Sequence, residues 1–212
     1  RWAPPPSRRP ADLPDKRTVP DLPPLGVLPL DPLCAPPPRD LAAQLGLVRD
    51  PAEVAAAVLG GRVRRLDLLR HDGGSVTLDG ALIGGSDEAG RAVPWHAVVE
   101  VDDAVLTRGE EPLLAALVAN AAGYARPDGL PLVTHADPAD GTVEVAVAIP
   151  VRSRWRRRPR VEVRRARGRA AAISPRAEVA CLDDGVTGVL TRKRSWWVEP
   201  GAWAVYTPDR DG

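Results

Sequence analysis

The residues of this 212-residue chain whose types could do chemistry include its aspartate-glycine pairs, among them Asp140-Gly141 and Asp184-Gly185, and a dense run of arginines. A carboxylate beside a hydroxyl can take its proton, so aspartate is the residue type here that could serve as a base. The same dipeptide is a strong hairpin signal, and a tight turn by itself explains both pairs. Between Arg152 and Arg169 ten arginines face one glutamate, with Trp155 among them. Clustered guanidinium groups attract anionic lipid headgroups, and a tryptophan favours the membrane interface. The same charges could bind nucleic-acid phosphates with Trp155 stacking on a base, or simply face water on a hairpin. Of these, nucleic acid ranks last. His71, His96 and His135 lack partners at recognisable spacing, so no hydrolase or metal motif can be built from them. Cys34 and Cys181 lie outside any zinc or disulfide pattern, so a reducing, cytoplasmic setting is expected.

These groups need elements to position them, and the chain is long enough, at 44% hydrophobic, to bury a core. The net charge of +1 excludes a uniformly basic or acidic protein and leaves the arginine run as a local feature. No run approaches the ~18 apolar residues of a membrane span, and the first residues do not resemble a signal peptide. The absence of methionine, even at position 1, is what a chain cut from something longer would show. Residues 1–24 hold eight prolines among charged residues, which predicts an extended arm or linker. Leu25-Gly-Val-Leu-Pro-Leu30 is expected as a strand, and 40–47 and 51–59 as two short helices, the second capped by Asp50 with Pro51 at its first position.

Beyond Gly61 the period becomes two. Strands are predicted at 63–68, 75–78, 97–101, 113–120, 143–151, 161–165, 171–173, 177–182 and 203–206, separated by turns such as Asp72-Gly-Gly74 and Asp184-Gly185. The expected fold is mainly β with two short N-terminal helices, an antiparallel β-sandwich over residues 25–208 with a tail at 209–212. Trp196, Trp197 and Trp203 are expected to pack over one end of it.

Several stretches, in order, resemble the diacylglycerol-kinase-like lipid kinases, a superfamily that includes sphingosine and ceramide kinases. Leu25-Gly-Val-Leu-Pro-Leu30 with Arg39-Asp-Leu-Ala-Ala-Gln-Leu-Gly-Leu47 is similar to that family's "LGVLPxGTxNDxARxLGL" passage. Asp50 to Leu68 looks like its next helix and strand. Val118-Ala-Asn120 and Ala136-Asp-Pro-Ala-Asp-Gly141 look like its "vaN … P-x-A-x-x-x-D-G" region, and Val161 to Arg167, Asp183-Asp-Gly185 and Val198 to Pro208 like its last strands. The resemblance implies the β-sandwich that carries the lipid site, in the family's C-terminal domain, with Asn120, Asp140 and Gly141 as structural residues.

It also implies where the chain departs. The family uses ATP and Mg²⁺, and phosphoryl transfer needs a nucleotide cradle, a metal holder and a base. The glycine-rich "GGDGT" motif has no counterpart among the first 24 residues, which contain no glycine. "GTxND" is replaced by a proline-rich stretch ending Arg39-Asp40, in which only Asp40 matches, and proline has no N–H for a phosphate. "DGE", whose glutamate is the family's presumed base, reads Asp184-Gly185-Val186. Asp183 and Asp184 are the carboxylates that could stand in for that glutamate, but a neighbouring carboxylate one or two positions away is expected on the other strand face or in the turn. The expectation is a degenerate domain with no intact catalytic set and no cofactor of its own, binding lipid or an anionic membrane through Arg154, Trp155, Arg156, Arg157, Arg158 and Arg160 at the inner face of the membrane. The alternative is a fragment of a true lipid kinase, completed by a nucleotide-binding domain or partner chain.

Overall fold

A computed structural model describes residues 23–30, 41–151 and 160–208. The expectations placed on the arm, on Arg39 and Asp40, on Arg154 to Arg158 with Trp155, and on the tail at 209–212 therefore lie outside the described residues.

Two short helices come first. In α1 (Leu41–Gln44) Ala42 is buried, and α2 (Pro51–Gly60) starts where Asp50 accepts hydrogen bonds from the backbone N–H groups of Ala52 and Glu53. Leu25 to Leu30, expected as a strand, makes a single parallel bridge from Leu25 to Val205 and no ladder. Its Pro29 lacks a donor, which limits how far such pairing can extend.

Among the described residues fourteen strands follow. The first large sheet orders β2 (Val76–Thr77), β1 (Arg62–His71), β14 (Arg194–Thr207), β11 (Ala170–Pro175), β6 (Ala97–Val101) and β7 (Ala104–Arg108). The second orders β10 (Arg160–Gly168), β9 (Val143–Val151), β8 (Ala115–Ala119), β3 (Gly80–Ile83), β12 (Val179–Asp183) and β13 (Val186–Leu190). A small ribbon joins β4 (Gly85–Ser86) to β5 (Ala92–Val93). Every ladder is antiparallel, the architecture expected from the sequence.

The main core lies between the large sheets, where alternate residues of facing strands meet: Val99 and Val101 from β6, Val143, Val145 and Val147 from β9, and Trp196 from β14, each at most 1% exposed. Trp196 is thus a central core residue rather than a cover over one end. On the outer face of the second sheet, Tyr124, Leu132 and Val133 from the β8–β9 connection bury Leu117, Ala146 and Ala148. No described helix is long and apolar enough to cross a membrane.

A buried carboxylate ties the β8–β9 connection to the first sheet. At Asp67 the β1–β14 register shifts, and its carboxylate accepts N–H bonds from Gly141 at 2.6 Å and Gly201 at 2.7 Å. Its backbone carbonyl accepts the Asn120 amide at 3.2 Å and the Trp203 indole at 3.1 Å. Asn120 also donates to the Leu78 carbonyl at 2.7 Å. Asn120 and Gly141 therefore converge on one point, where they join β1, β8 and the β2–β3 turn. Asp140 instead turns outward, accepting from Thr142 and pairing with Arg167.

Candidate functional site

The Asp184-Gly185 pair forms a two-residue hairpin turn between β12 and β13, with positive φ at both residues, +46° and +81°. A type I′ turn needs that conformation and tolerates Asp-Gly well. The Asp184 carboxylate reaches back and accepts N–H bonds from Leu78 at 2.6 Å, Asp79 at 2.9 Å and Gly80 at 3.1 Å. It thereby fixes the β2–β3 turn to the hairpin. Gly185 donates its own N–H to the Tyr124 hydroxyl at 2.6 Å. The pair is a turn, as its composition predicts, and Asp184 also holds a second turn in place.

Asp183 does something different. Because only two residues form the turn, Asp183 is directly opposite Val186 in the ladder, and opposed residues share a sheet face. The expectation that a neighbouring carboxylate would point away from Val186 thus fails for Asp183. It fails because the comparison has to be made across the hairpin and not along one strand.

Asp183, Val186 and His71 line an open cleft of about 350 Å³ between the β1–β2 end of the first sheet and the β12–β13 end of the second. Asp183 accepts the Thr77 hydroxyl at 2.7 Å, while His71 Nε2 and the Arg194 guanidinium approach its carboxylate at 3.9 Å and 3.8 Å. Burial raises the carboxyl above its ordinary range despite the Thr77 bond. His71 accepts the Gly73 N–H at Nδ1, and burial followed by Arg194 pushes its pKa down. Arg194 also lies 5.7 Å from the centre of the Trp196 ring. Cys181, deeper in the same wall, is held protonated, its pKa raised by burial to about 11.

An imidazole, a half-buried carboxyl and one guanidinium can bind and orient a hydroxyl-bearing ligand. Sequence reasoning missed this set because His71 and Asp183 are 112 positions apart and meet only through pairing of β1, β2 and the hairpin. Among the described residues no group of three or more His, Cys, Asp or Glu side chains is placed to hold a metal ion, so no step through Mg²⁺ or ATP is assigned to them.

Behind the turn Asp79 is buried, and its carboxylate accepts the Gly123 N–H at 2.9 Å. A Cβ on Gly123 would come within 1.8 Å of the other carboxylate oxygen. Burial raises the Asp79 pKa from 3.8 to about 6. Between those values the folded chain holds a proton that the unfolded chain has lost, so stability falls as pH rises from about 4 to about 6. The ionised form at neutral pH costs on the order of 3 kcal/mol, at ~1.4 kcal/mol per pH unit. Asp79→Asn is therefore expected to remove that slope and to be the more stable protein at pH 7. Urea unfolding of both proteins across this range checks it.

No protein-family model matches the chain, and no curated protein matches it. Solved structures do. A diacylglycerol kinase from Bacillus anthracis str. Sterne aligns over 80% of this chain with a TM-score of 0.57 at 15% identity. Two further structures from that organism align with TM-scores of 0.60 and 0.59, at 15% and 16% identity and over 80% and 79% of this chain. The chain has the diacylglycerol-kinase-like fold. It spans 63–65% of the length of those structures. Val186 is 71% exposed on the hairpin beside the cleft.

The described part of the arginine run behaves differently from a row of solvated charges. Arg165 donates to the Leu132 and Pro131 carbonyls, Arg164 pairs with Glu111 and Glu162, and Arg167 pairs with Asp140. These three clamp neighbouring loops and strands. Arg160 is exposed and directly opposite Val151.

Proposed function

We propose that this chain is the lipid-side domain of a diacylglycerol-kinase-like protein, which binds lipid or an anionic membrane surface and by itself transfers no phosphoryl group. The observation that carries this is Val186. Phosphoryl transfer to an alcohol needs a group that orients the hydroxyl and accepts its proton, and an isopropyl side chain does neither. The cleft beside it keeps polar groups suited to holding a hydroxyl: the Asp183 carboxyl, His71 and Arg194. Membrane contact is assigned to Arg154, Trp155, Arg156, Arg157, Arg158 and Arg160 on the strength of charge and composition.

A second reading has its own observation. Asp183 is opposite Val186 with a raised pKa, so a nucleotide-binding domain supplied by a longer protein or a partner chain would find a carboxylate near the place of the family's glutamate. One assay bears on both. The purified chain with Mg·ATP and diacylglycerol in mixed micelles is expected to make no phosphatidic acid above the protein-free background, and calorimetry is expected to show no specific Mg·ATP binding. The two readings part when the same assay is repeated with a nucleotide-binding domain of the family supplied in trans: continued absence of turnover supports the first, and turnover that Asp183→Asn reduces by a hundredfold or more establishes the second.

A further inference from the structure

The two large sheets have four edge strands, and three carry features that discourage pairing with another chain. β2 is two residues long. β7 is bulged against β6, and the Arg164 guanidinium donates to its Leu106 carbonyl at 3.1 Å. β10, Arg-Val-Glu-Val-Arg-Arg-Ala-Arg-Gly, alternates charged residues along its length. Such shortening, bulging and charging are the means by which native sheets blunt their edges.

The fourth edge, β13, has none of them. Val-Thr-Gly-Val-Leu is uncharged and free of proline, pairs with β12 without a register shift, and exposes Val186 by 71% and Val189 by 55%. Val186 to Val189 are all exposed, and a Cβ built on Gly188 would have its nearest neighbour 4.0 Å away, so the sheet face over the middle of the strand is uncrowded as well.

Residues flanking a two-residue turn exchange both backbone hydrogen bonds, so Val186, Gly188 and Leu190 are directed at β12. Thr187 and Val189 then present their N–H and C=O groups outward. An antiparallel partner must offer the same spacing, and β13 itself does. With Gly188 opposite the partner's Gly188, Thr187 meets the partner's Val189 and the reverse, giving four hydrogen bonds related by a two-fold axis. A slip of one residue sets an outward-directed residue against an inward-directed one and loses them.

The flanks favour the same register. The strand is preceded by Asp183-Asp184 and followed by Arg192-Lys193, so antiparallel self-pairing brings the acidic end of each copy beside the basic end of the other. Parallel pairing would set like charges together. We propose that β13 is a self-association edge, joining two copies of this chain into a continuous twelve-stranded sheet through antiparallel pairing centred on Gly188.

Five paired residues per copy bury less than the ~1,200 Å² of a standard stable interface, so the dimer is concentration dependent. Sedimentation equilibrium over the micromolar to sub-millimolar range is expected to show a monomer–dimer equilibrium. Thr187→Lys combined with Val189→Lys sets lysine against lysine and is expected to weaken it at least tenfold with the circular dichroism unchanged. Arg192→Glu is expected to weaken it less and to reduce its salt dependence.

Cysteine trapping fixes the register. In a background with Cys34→Ser and Cys181→Ala, which removes the cysteine opposite position 188 within the chain, Gly188→Cys is expected to form an interchain disulfide under mild oxidation. Thr187→Cys, set opposite the partner's Val189, is expected to form little. A monomer throughout the concentration range overturns the proposal, as does a dimer untouched by the lysine pair. Faster trapping at position 187 than at 188 overturns the register.

Discussion

Replacing Asp184 with alanine is expected to lower unfolding stability by about 3–5 kcal/mol, because it strands three backbone donors that share one carboxylate. The loss has two separable parts. The hydrogen bonds are lost outright, and alanine must also occupy a left-handed backbone at φ +46°, a conformation that costs a residue with a Cβ roughly 1 kcal/mol. Asp184→Gly relieves the backbone part and leaves the bonds broken, so it is expected to lie between wild type and Asp184→Ala. Asp184→Asn keeps one acceptor oxygen and a side chain that tolerates the left-handed region, so it is expected to lose least. Urea unfolding of the three variants checks the order, and if alanine and asparagine destabilise equally, the carboxylate is not what holds the β2–β3 turn to the hairpin. The result also bears on chemistry. A carboxylate with three backbone N–H bonds is committed to architecture, which leaves Asp183 as the cleft's carboxyl.

The overall fold was largely legible in the sequence, since period-two segments between Asp-Gly and Gly-Gly turns are what two-faced strands require. The strands missed are instructive. Gly80–Ile83 begins at the glycine of a turn signal and reads as its continuation, and Ala104–Arg108 follows Asp102 and Asp103, of which Asp102 adopts φ +46° to make the turn. Val186–Leu190 contains a central glycine, which lowers its apparent strand character. In Arg194–Thr207 the Pro200-Gly201 pair interrupts the pattern, yet the strand passes through it because Asp67 accepts the Gly201 N–H where β1 bulges.

Site residues were less legible for a different reason. Asn120 and Gly141 are recognisable by their surroundings in the sequence, but their common partner, Asp67, looks like an ordinary strand residue. His71 and Arg194 become neighbours of Asp183 only when two sheets close on one another, a relation that no local spacing encodes. The arginine run shows the opposite failure. Its composition reads as one patch, whereas Arg164, Arg165 and Arg167 belong to internal clamps, and this narrows the membrane proposal to the segment between the paired ends Val151 and Arg160.

That segment carries the second large expected effect. Replacing Arg156, Arg157 and Arg158 together with serine is expected to reduce binding to phosphatidylglycerol or cardiolipin vesicles on the order of 100-fold, because each cation near an anionic surface contributes about 1 kcal/mol. The melting temperature is expected to stay within a few degrees of wild type, since the clamps made by Arg164, Arg165 and Arg167 are untouched. Wild-type binding is expected to weaken with salt, as exposed charges are screened beyond a Debye length of about 8 Å at physiological ionic strength. Trp155→Ala is expected to remove the part that survives high salt, because insertion of an aromatic ring at the interface does not depend on counterions. Co-sedimentation with anionic and neutral vesicles measures all three effects. If the triple replacement leaves anionic-vesicle binding intact, the arginines are not the contact. If the wild-type chain prefers duplex DNA to anionic vesicles at equal ionic strength, the run is a phosphate-backbone reader and the membrane assignment is wrong.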